Sequence, residues 1–436
     1  SASMIVSEMA DLGAISFLKL RAAVAAVGSD TDPYLLNNTY SPAAMFGGYP
    51  AFGINTFATN PDLRPERTNS SELGIDARFA KGRFGMDLAV YDMTTEDQII
   101  YLPVATSTGR TSRLANGGAI RNRGIELQLF GDIVKNDKLT WNSRINLGAN
   151  RAVVTELPGG VSGGYPIVAS MFPNDGGTVG LEYVAVEGEL LGQLKGLTFM
   201  RDAYDNIIHQ DGLPMVSEEK RTIGSYQPKA RIGWMNSFSV GNWQANILFD
   251  GQIGGLIYSR SHTLHNTAGN LVNDNDPHLD MNAIEGRVVY NVNYDSNGEP
   301  VYDLDEAGGV VGSGVMYDAS GNLVPNTVSV PIRQYYYKYY GNVWSRDNIE
   351  PSTFDASYLK LRQLSIAYTV PVEKLANTGL KGLTVSFVGR NLLLFTKVPT
   401  IDPETYSIRN GLFVNGYEST SMPSLRSFGF SINANL

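Results

Sequence analysis

The histidines are the first candidates for metal binding or acid–base chemistry. The chain contains no cysteine and only four histidines, His209, His262, His265 and His278. His262 and His265 are three positions apart, so a helix would present both imidazoles on one face, where they could bind a metal. An incidental pair in a long loop is the competing interpretation, and no serine or cysteine motif accompanies any histidine. We therefore expect no catalytic residues, no metal site and a protein that is not an enzyme.

A second candidate is a loop with calcium-like spacing. The segment NVNYDSNG places four residues at positions typical of a calcium-binding loop, Asn293, Asp295, Asn297 and Gly298. Leu304, however, stands where the bidentate glutamate belongs. The segment YDSNGEPV (294–301) is also echoed by YDASGNLV (317–324), which favours a polar hairpin turn between short strands in both places. The prediction is therefore no cofactor, with loop-bound calcium as the alternative.

The cluster RQYYYKYYGNVW (333–344) is the densest group of aromatic residues. Aromatic faces on a loop could stack on sugar rings or pack against a partner protein. The alternative is that these rings fill a small core of the loop itself, or belong to an interfacial belt. The candidate substrate-contact or partner-contact residues are Tyr335, Tyr336, Tyr337, Tyr339, Tyr340 and Trp344.

The elements that must position these loops have the two-residue period of β-strands. In GRFGMDLAVYDMTTEDQII (82–100), apolar side chains from Phe84 to Val90 alternate with a second set that includes Asp87 and Tyr91. Because successive side chains of a strand point to opposite faces, this pattern predicts a strand with one apolar and one polar face. Ten such strands are predicted, at 16–28, 71–80, 82–100, 124–129, 139–150, 228–240, 242–257, 358–370, 383–393 and 425–436.

The length and connection of the strands indicate a membrane protein. Several strands exceed ten residues, whereas a membrane-spanning strand needs about 9–11. Short connections at 81–82, 131–138, 241 and 371–382 alternate with long ones at 29–68, 102–118, 155–226, 258–357 and 394–423. This alternation is typical of an antiparallel transmembrane β-barrel with short periplasmic turns and long extracellular loops. Lipid would contact the apolar face and a wet lumen the polar face, and the C-terminus would be periplasmic. A large soluble β-protein has the same period and is the alternative.

Charge excludes one class of partner. The formal net charge is −9, so nucleic acid is not expected to bind, because phosphate binding needs a basic surface.

Several segments resemble one known family. NPDLRPERTNSSELGIDARF (60–79) is similar to a barrel segment of the SusC/RagA-like TonB-dependent outer-membrane transporters of Bacteroidetes. Matches to other segments of that family follow in order: ISFLKLRAAVAAVGSDTDPY (15–34), NGGAIRNRGIELQLFGD (116–132), FDASYLKLRQLSIAYTVP (354–371), GLTVSFVGRNLLLFTK (382–397) and IDPETY (401–406). The family's final strand usually ends in Phe, whereas this chain ends in Leu436.

The resemblance implies a barrel of about 22 strands with an N-terminal plug. Residues 1–436 would then be the C-terminal part of the barrel, about ten strands, with 258–357 as a long extracellular loop region. The plug, the TonB box and the first strands would lie outside this chain. We accordingly expect the strands at 16–28 and 425–436 each to pair with strands from sequence not present here.

The function implied by the family is import. It is the TonB-dependent uptake of a nutrient polymer fragment, an oligosaccharide foremost and a peptide as a second option. The implied partners are a SusD-like surface lipoprotein, outer-membrane lipid, the remaining barrel and plug, and TonB–ExbB–ExbD acting through the absent N-terminal region. A passive porin-like or adhesion barrel is the alternative, and it would lack the plug and the TonB box.

Overall fold

A computed structural model of the chain describes residues 1–33, 35–159, 161, 164–168, 180–267, 292–294, 296, 300–302, 309–341, 348–376, 378–399, 401–405, 407–409 and 412–435. Its main feature is one antiparallel sheet of eleven strands in which each strand pairs with the next in sequence. The strands are β1 (Ala2–Ile5), β2 (Ile15–Ser29), β3 (Glu66–Phe79), β4 (Phe84–Glu96), β5 (Ala119–Lys135), β6 (Thr140–Glu156), β7 (Ala230–Val240), β8 (Trp243–Ile253), β9 (Tyr358–Val370), β10 (Gly382–Thr396) and β11 (Ser427–Asn435).

The register places apolar residues on one face of this sheet and polar residues on the other. Leu88, Leu127 and Leu147 face one another across β4, β5 and β6. One position along, Asp87, Gln128 and Asn146 form the corresponding row on the opposite face. The apolar face is solvent-exposed in the described part of the chain, with Leu73 61% and Phe430 80% accessible. An extended apolar face without a covering layer is what a membrane wall requires.

The ten predicted strands are all present in the sheet, but only the strand at 358–370 has the predicted ends, and two predicted segments are divided. The segment 82–100 is divided at Asp97, which has a φ of 54°. The segment 242–257 is divided at Gly254 and Gly255, with φ of 74° and 84°. A Cβ on Gly255 would lie 2.7 Å from the carbonyl oxygen of Tyr226, so the chain there has both the conformation and the close approach that require glycine.

The expectation that the strand at 16–28 pairs with a strand from sequence outside this chain is wrong. Residues Lys19 to Ala22 of β2 pair with β1, which lies within this chain. Sequence analysis missed β1 because it is only four residues long, and ASMI alternates too weakly to indicate a strand. β1 therefore forms the edge of the sheet beside Lys19 to Ala22, and the rest of β2 has no further strand partner on this side among the described residues. At the other end, β11 pairs with β10 among the described residues.

The long connections fold into small structures of their own. They contain the helices α1 (Arg260–Thr267) and α2 (Ile332–Tyr339). Single turns of 3₁₀ helix occur at Val6–Glu8, Thr106–Thr108, Glu350–Ser352 and Val372–Leu375. Further short strands are Tyr40–Phe46, Tyr49–Ile54, Phe57–Ala58, Ile99–Pro103, Ser112–Asn116, Tyr165–Val168, Glu182–Ala185, Gln193–Gly196, Ile208–Gln210, Leu213–Pro214, Arg221–Ser225, Leu256–Ser259, Val292–Tyr294, Pro300–Tyr302, Gly309–Val311, Val315–Tyr317, Leu323–Pro325, Ser329–Pro331, Thr353–Asp355, Ser407–Arg409, Leu412–Val414 and Tyr417–Glu418. Among the residues described, no helix has the length and apolar character needed to cross a membrane.

The buried apolar core lies in these connections. One cluster joins Phe199, Ile207 and Val330 to tyrosines of α2, and another is centred on Leu181, Tyr183 and their neighbours. The large sheet therefore serves as a wall, and the connections between its strands form the packed part of the described structure.

Candidate functional site

The polar face of the sheet borders a cavity of about 980 Å³. Its wall is formed mainly by strands β2 to β9, and residues 403–405 of the connection between β10 and β11 close part of it. The side chains that give it chemical character are Arg21, Glu72, Asp87, Tyr91, Glu126 and Gln128. The alternation of each strand places these groups on the same side as the row of Asp87, Gln128 and Asn146.

Acidic groups dominate this part of the cavity. Arg21 donates to both carboxylate oxygens of Asp87, at 3.0 and 2.8 Å, so this pair is neutralised. Glu72 and Glu126 form no ion pair with the described residues and also line the cavity. Carboxylates can accept hydrogen bonds from sugar hydroxyls or peptide amides, and they attract cationic groups.

Neutral hydrogen-bonding groups lie beside the carboxylates. Gln128 Nε2 donates to Asn146 Oδ1 at 2.9 Å, and the Tyr91 hydroxyl donates to Asn150 Oδ1 at 3.1 Å. The Tyr91 ring lies over Gly124 of the neighbouring strand, where a Cβ would be 2.3 Å from the ring. Gly124 therefore leaves the space in which the tyrosine lies against the wall. An aromatic ring bordered by amides and carboxylates is suited to a polar substrate with apolar faces.

A buried charge network attaches the last long connection to the wall. Lys360 of β9 is 2% exposed, and its Nζ donates to both oxygens of Asp402 at 3.0 and 2.8 Å. The same ammonium contacts Glu404. Arg362 donates to Glu404 at 2.6 Å and to Asp250 of β8 at 2.6 and 3.1 Å. Residues 402–404 are thereby fixed against the polar face of the sheet.

The network also sets the protonation of Glu404. Partial burial opposes ionisation of this carboxyl, but hydrogen bonds from Arg362 and Lys360 outweigh it and lower the pKa of Glu404 to about 2. Arg362 reaches the network because the register between β8 and β9 shifts at Leu248 and Phe249, so that Arg362 is an extra residue between Leu361 and Gln363. Sequence analysis missed the network, since it assigned no role to the charges of FDASYLKLR and IDPETY.

Most of the predicted tyrosine cluster is buried. Tyr335, Tyr336, Tyr339 and Tyr340 are 0 to 8% exposed and pack with Phe199, Ile207, Val310 and Val330. Tyr335 shares a hydrogen bond of 3.2 Å with His209 Nε2. These four rings form the loop core that was the alternative interpretation. Of the described members, Tyr337 is the exposed one, at 40%. Trp344 lies outside the described residues, and contact of the cluster with substrate or partner remains a prediction.

Two of the described histidines are buried, and the third is exposed. His262 and His265 both lie on α1, but His262 is buried with its Nδ1 3.0 Å from Ser352 Oγ, whereas His265 is exposed. The described residues include no group of three side chains able to hold a metal. Burial lowers the pKa of His209, which favours its neutral form in the loop core. His278 lies outside the described residues.

The calcium-like segment is only partly described. Strands Val292–Tyr294 and Pro300–Tyr302 pair as a hairpin, while Asp295, Asn297 and Gly298 lie outside the described residues. The related segment 317–324 forms the predicted hairpin, in which Asp318 Oδ1 accepts from the amides of Ser320 and Asn322, both at 2.8 Å. The hairpin interpretation is confirmed for this second segment.

The sheet has an exposed apolar face and borders a polar cavity on its opposite face. This arrangement defines the class of protein, because it is that of a segment of the wall of a transmembrane β-barrel. Residues 33–247 match the family described as TonB dependent receptor-like, beta-barrel. The chain is similar to TonB-dependent receptor P26 of Formosa agariphila, 26% identical over 95% of this chain and 39% of the relative. It is also similar to TonB-dependent receptor SusC of Bacteroides thetaiotaomicron, 25% identical over 36% of this chain and 17% of the relative.

Solved structures show the same fold. The RagAB peptide importer in its closed-closed state matches with a TM-score of 0.66 and 18% identity, over 99% of this chain and 42% of that chain. The sequence-based resemblance is confirmed, because the family model, the curated relatives and the solved structures all support the β-barrel of SusC/RagA-like TonB-dependent receptors. It spans about 40% of the length of the curated relatives that it matches along most of its own length.

Proposed function

We propose that the protein to which this chain belongs imports a fragment of a nutrient polymer through the outer membrane, driven by TonB, together with a SusD-like surface lipoprotein. The observation that carries this proposal is the wall itself, which has an apolar outer face and a polar inner face around a cavity of about 980 Å³. The plug, the TonB box and the remaining strands are supplied by sequence outside this chain, and TonB–ExbB–ExbD acts through that region.

An oligosaccharide is the first candidate substrate and a peptide the second. Tyr91 offers a ring face, and Glu72 and Glu126 offer two carboxylates without an ion pair to any described residue. These groups suit sugar hydroxyls and also the amides or basic side chains of a peptide. The RagAB neighbour is titled a peptide importer, but an identity of 18% transfers only its fold. The substrate that we propose from the chemistry of the cavity lining is therefore a neutral or cationic polar oligomer.

Uptake in cells tests the proposal. A host lacking its own copy would express the full-length transporter, and entry of labelled oligosaccharides and labelled peptides would be measured with and without TonB. We expect uptake of one class only, lost without TonB. The double variant Glu72→Gln/Glu126→Gln should weaken uptake, whereas Glu187→Gln, in an exposed loop position, should not. Uptake that persists unchanged without TonB would instead support the passive-porin alternative.

We further propose that the long connections face the cell exterior and that the C-terminal end of β11 faces the periplasm. The observation in support is that five short connections, including 6–14, alternate with the long, internally structured connections, as in outer-membrane barrels. Protease added to intact cells should cut within the connection 254–357 and spare 371–381. Cleavage of 371–381 on intact cells, with 254–357 cut only after permeabilisation, would reverse this topology.

A further inference from the structure

The apolar outer face of the sheet ends at the same level on four adjacent strands. Leu73, Val90, Ile125 and Ala149 face one another in one row across β3, β4, β5 and β6. The next outward-facing row, toward the long connections, consists of Ser71, Asp92, Arg123 and Arg151. An abrupt change from aliphatic to polar or charged residues along all four strands marks the boundary of the hydrocarbon layer.

Two arginines at this boundary hold one carboxylate, and a third arginine lies on the next strand. Arg121 Nε donates to Asp92 Oδ1 at 2.8 Å, and Arg123 Nε donates to Asp92 Oδ2 at 3.0 Å. Arg151 lies directly across from Arg123 on β6 and is exposed. We call Arg121, Arg123 and Arg151 the arginine cluster. Asp92 neutralises one of its three positive charges, so the group keeps a net positive charge at the membrane boundary.

A groove lies beside the arginine cluster on the same outer face. It has a volume of about 600 Å³ and is bordered by the small side chains of Val24, Ala26, Asn69 and Ser71, and by Asp92 and Arg121. The side chains of Arg121 and Arg123 are 42% and 59% exposed, so their guanidinium groups remain accessible while Asp92 holds them in place. Space for a ligand therefore adjoins a positively charged, pre-positioned donor set.

We propose that the arginine cluster binds the phosphate of a membrane-lipid headgroup, with the acyl chains of that lipid lying along the apolar row below. Guanidinium groups donate paired hydrogen bonds to phosphate oxygens, and two of these side chains are already oriented by Asp92. The occupant is a lipid rather than a free anion because the cluster directly borders the aliphatic surface of Val90 and Ile125. The assignment of this lipid to the outer leaflet rests on the proposed orientation of the long connections.

Native mass spectrometry of the purified full-length transporter tests this proposal. The protein would be titrated with diphosphorylated lipid A, with dephosphorylated lipid A and, separately, with inorganic phosphate. Wild type should retain the phosphorylated lipid in preference to the dephosphorylated one, and inorganic phosphate should not displace it. Arg121→Gln/Arg123→Gln/Arg151→Gln should bind the phosphorylated lipid roughly 100-fold more weakly, about fivefold for each arginine. The matched control is Arg231→Gln, which removes an arginine from the cavity side.

A second variant covers the case in which the triple variant fails to fold. Arg151→Gln leaves the contacts of Asp92 with Arg121 and Arg123 intact and should by itself weaken binding about fivefold. The proposal would be overturned if wild type and Arg151→Gln retained the phosphorylated lipid equally. It would also be overturned if wild type retained the phosphorylated and dephosphorylated lipids equally. Displacement by inorganic phosphate would indicate a free-anion site, and a dimer that dissociates in the variants without lipid dependence would indicate a second copy on this face. Because topology is measured by proteolysis and lipid binding by mass, failure of the proposed orientation is distinguishable from failure of this site.

Discussion

Removal of the buried cation Lys360 should release the connection that closes the cavity. The Lys360→Met variant keeps a long side chain in the site but leaves Asp402, whose side chain is 4% exposed, without its counter-charge. Glu404 keeps its contact with Arg362, so the loss is concentrated on Asp402. Breaking a buried ion pair on one side costs about 3–5 kcal/mol, because an uncompensated charge stays in a region of low dielectric.

A matched control exists in the same two segments. Lys397 pairs with Asp355 at 3.1 Å, but the Lys397 side chain is 75% exposed. An exposed pair contributes about 0–1 kcal/mol, so Lys397→Met should be nearly neutral. The two variants remove the same charge and differ in burial, which isolates the effect predicted from the structure.

Hydrogen exchange of the full-length transporter measures this difference. The amide of Glu404 donates to Asp402 Oδ1 at 3.1 Å, and that of Thr405 donates to the Asp402 carbonyl at 2.8 Å. In Lys360→Met these amides should exchange about 150- to 5,000-fold faster, following the cost of the broken pair. Lys360→Met/Asp402→Asn should recover part of the protection. Equal exchange in Lys360→Met and Lys397→Met would refute the assigned role of Lys360.

Three further predictions concern the wall and its attached connection. Leu147→Arg should destabilise the barrel by about 2–4 kcal/mol if this position is near the midplane, whereas Asn146→Arg should be tolerated in the same folding assay. Ionised Glu404 should stabilise the attached connection fully above pH 4.5, because its pKa is lowered to about 2 in the folded protein. Protection of this connection from hydrogen exchange should therefore decrease as the pH falls toward about 2. Glu404→Gln should remove this pH dependence. Gly124→Ala should displace Tyr91 and cost about 1–3 kcal/mol. Gly148→Ala, where a Cβ has no neighbour within 4 Å, should leave the midpoint of thermal unfolding unchanged.

The strands of the wall were predictable because their environment is two-sided. Lipid on one face and a polar interior on the other impose the two-residue period over strands as long as 17 residues, as in β5 and β6. The short turns between them follow directly, since a turn of a few residues can only join adjacent antiparallel strands.

The loop core and the charge network could not be derived in the same way. Tyr335 and Tyr339 are buried by residues as distant in sequence as Phe199, and no local period records such a contact. Lys360 and Asp402 are 42 positions apart, and the shifted register that brings Arg362 into the network depends on β8 as well as β9. The short strand β1 was missed because its pairing with β2, rather than its own pattern, makes it a strand.

The central claim is that the large sheet separates lipid from a polar lumen, and spin labels at two adjacent positions of β5 test it most directly. The chain has no cysteine, so single labels can be attached at Leu127→Cys or Gln128→Cys of the full-length protein in a bilayer, with any cysteine elsewhere replaced. Oxygen concentrates in the hydrocarbon layer and a nickel chelate stays in water, so collision rates with each report the surroundings of each label. We predict a high oxygen-to-nickel ratio at position 127 and a low ratio at position 128. The same ratio at both positions, or the reverse order, would contradict the account.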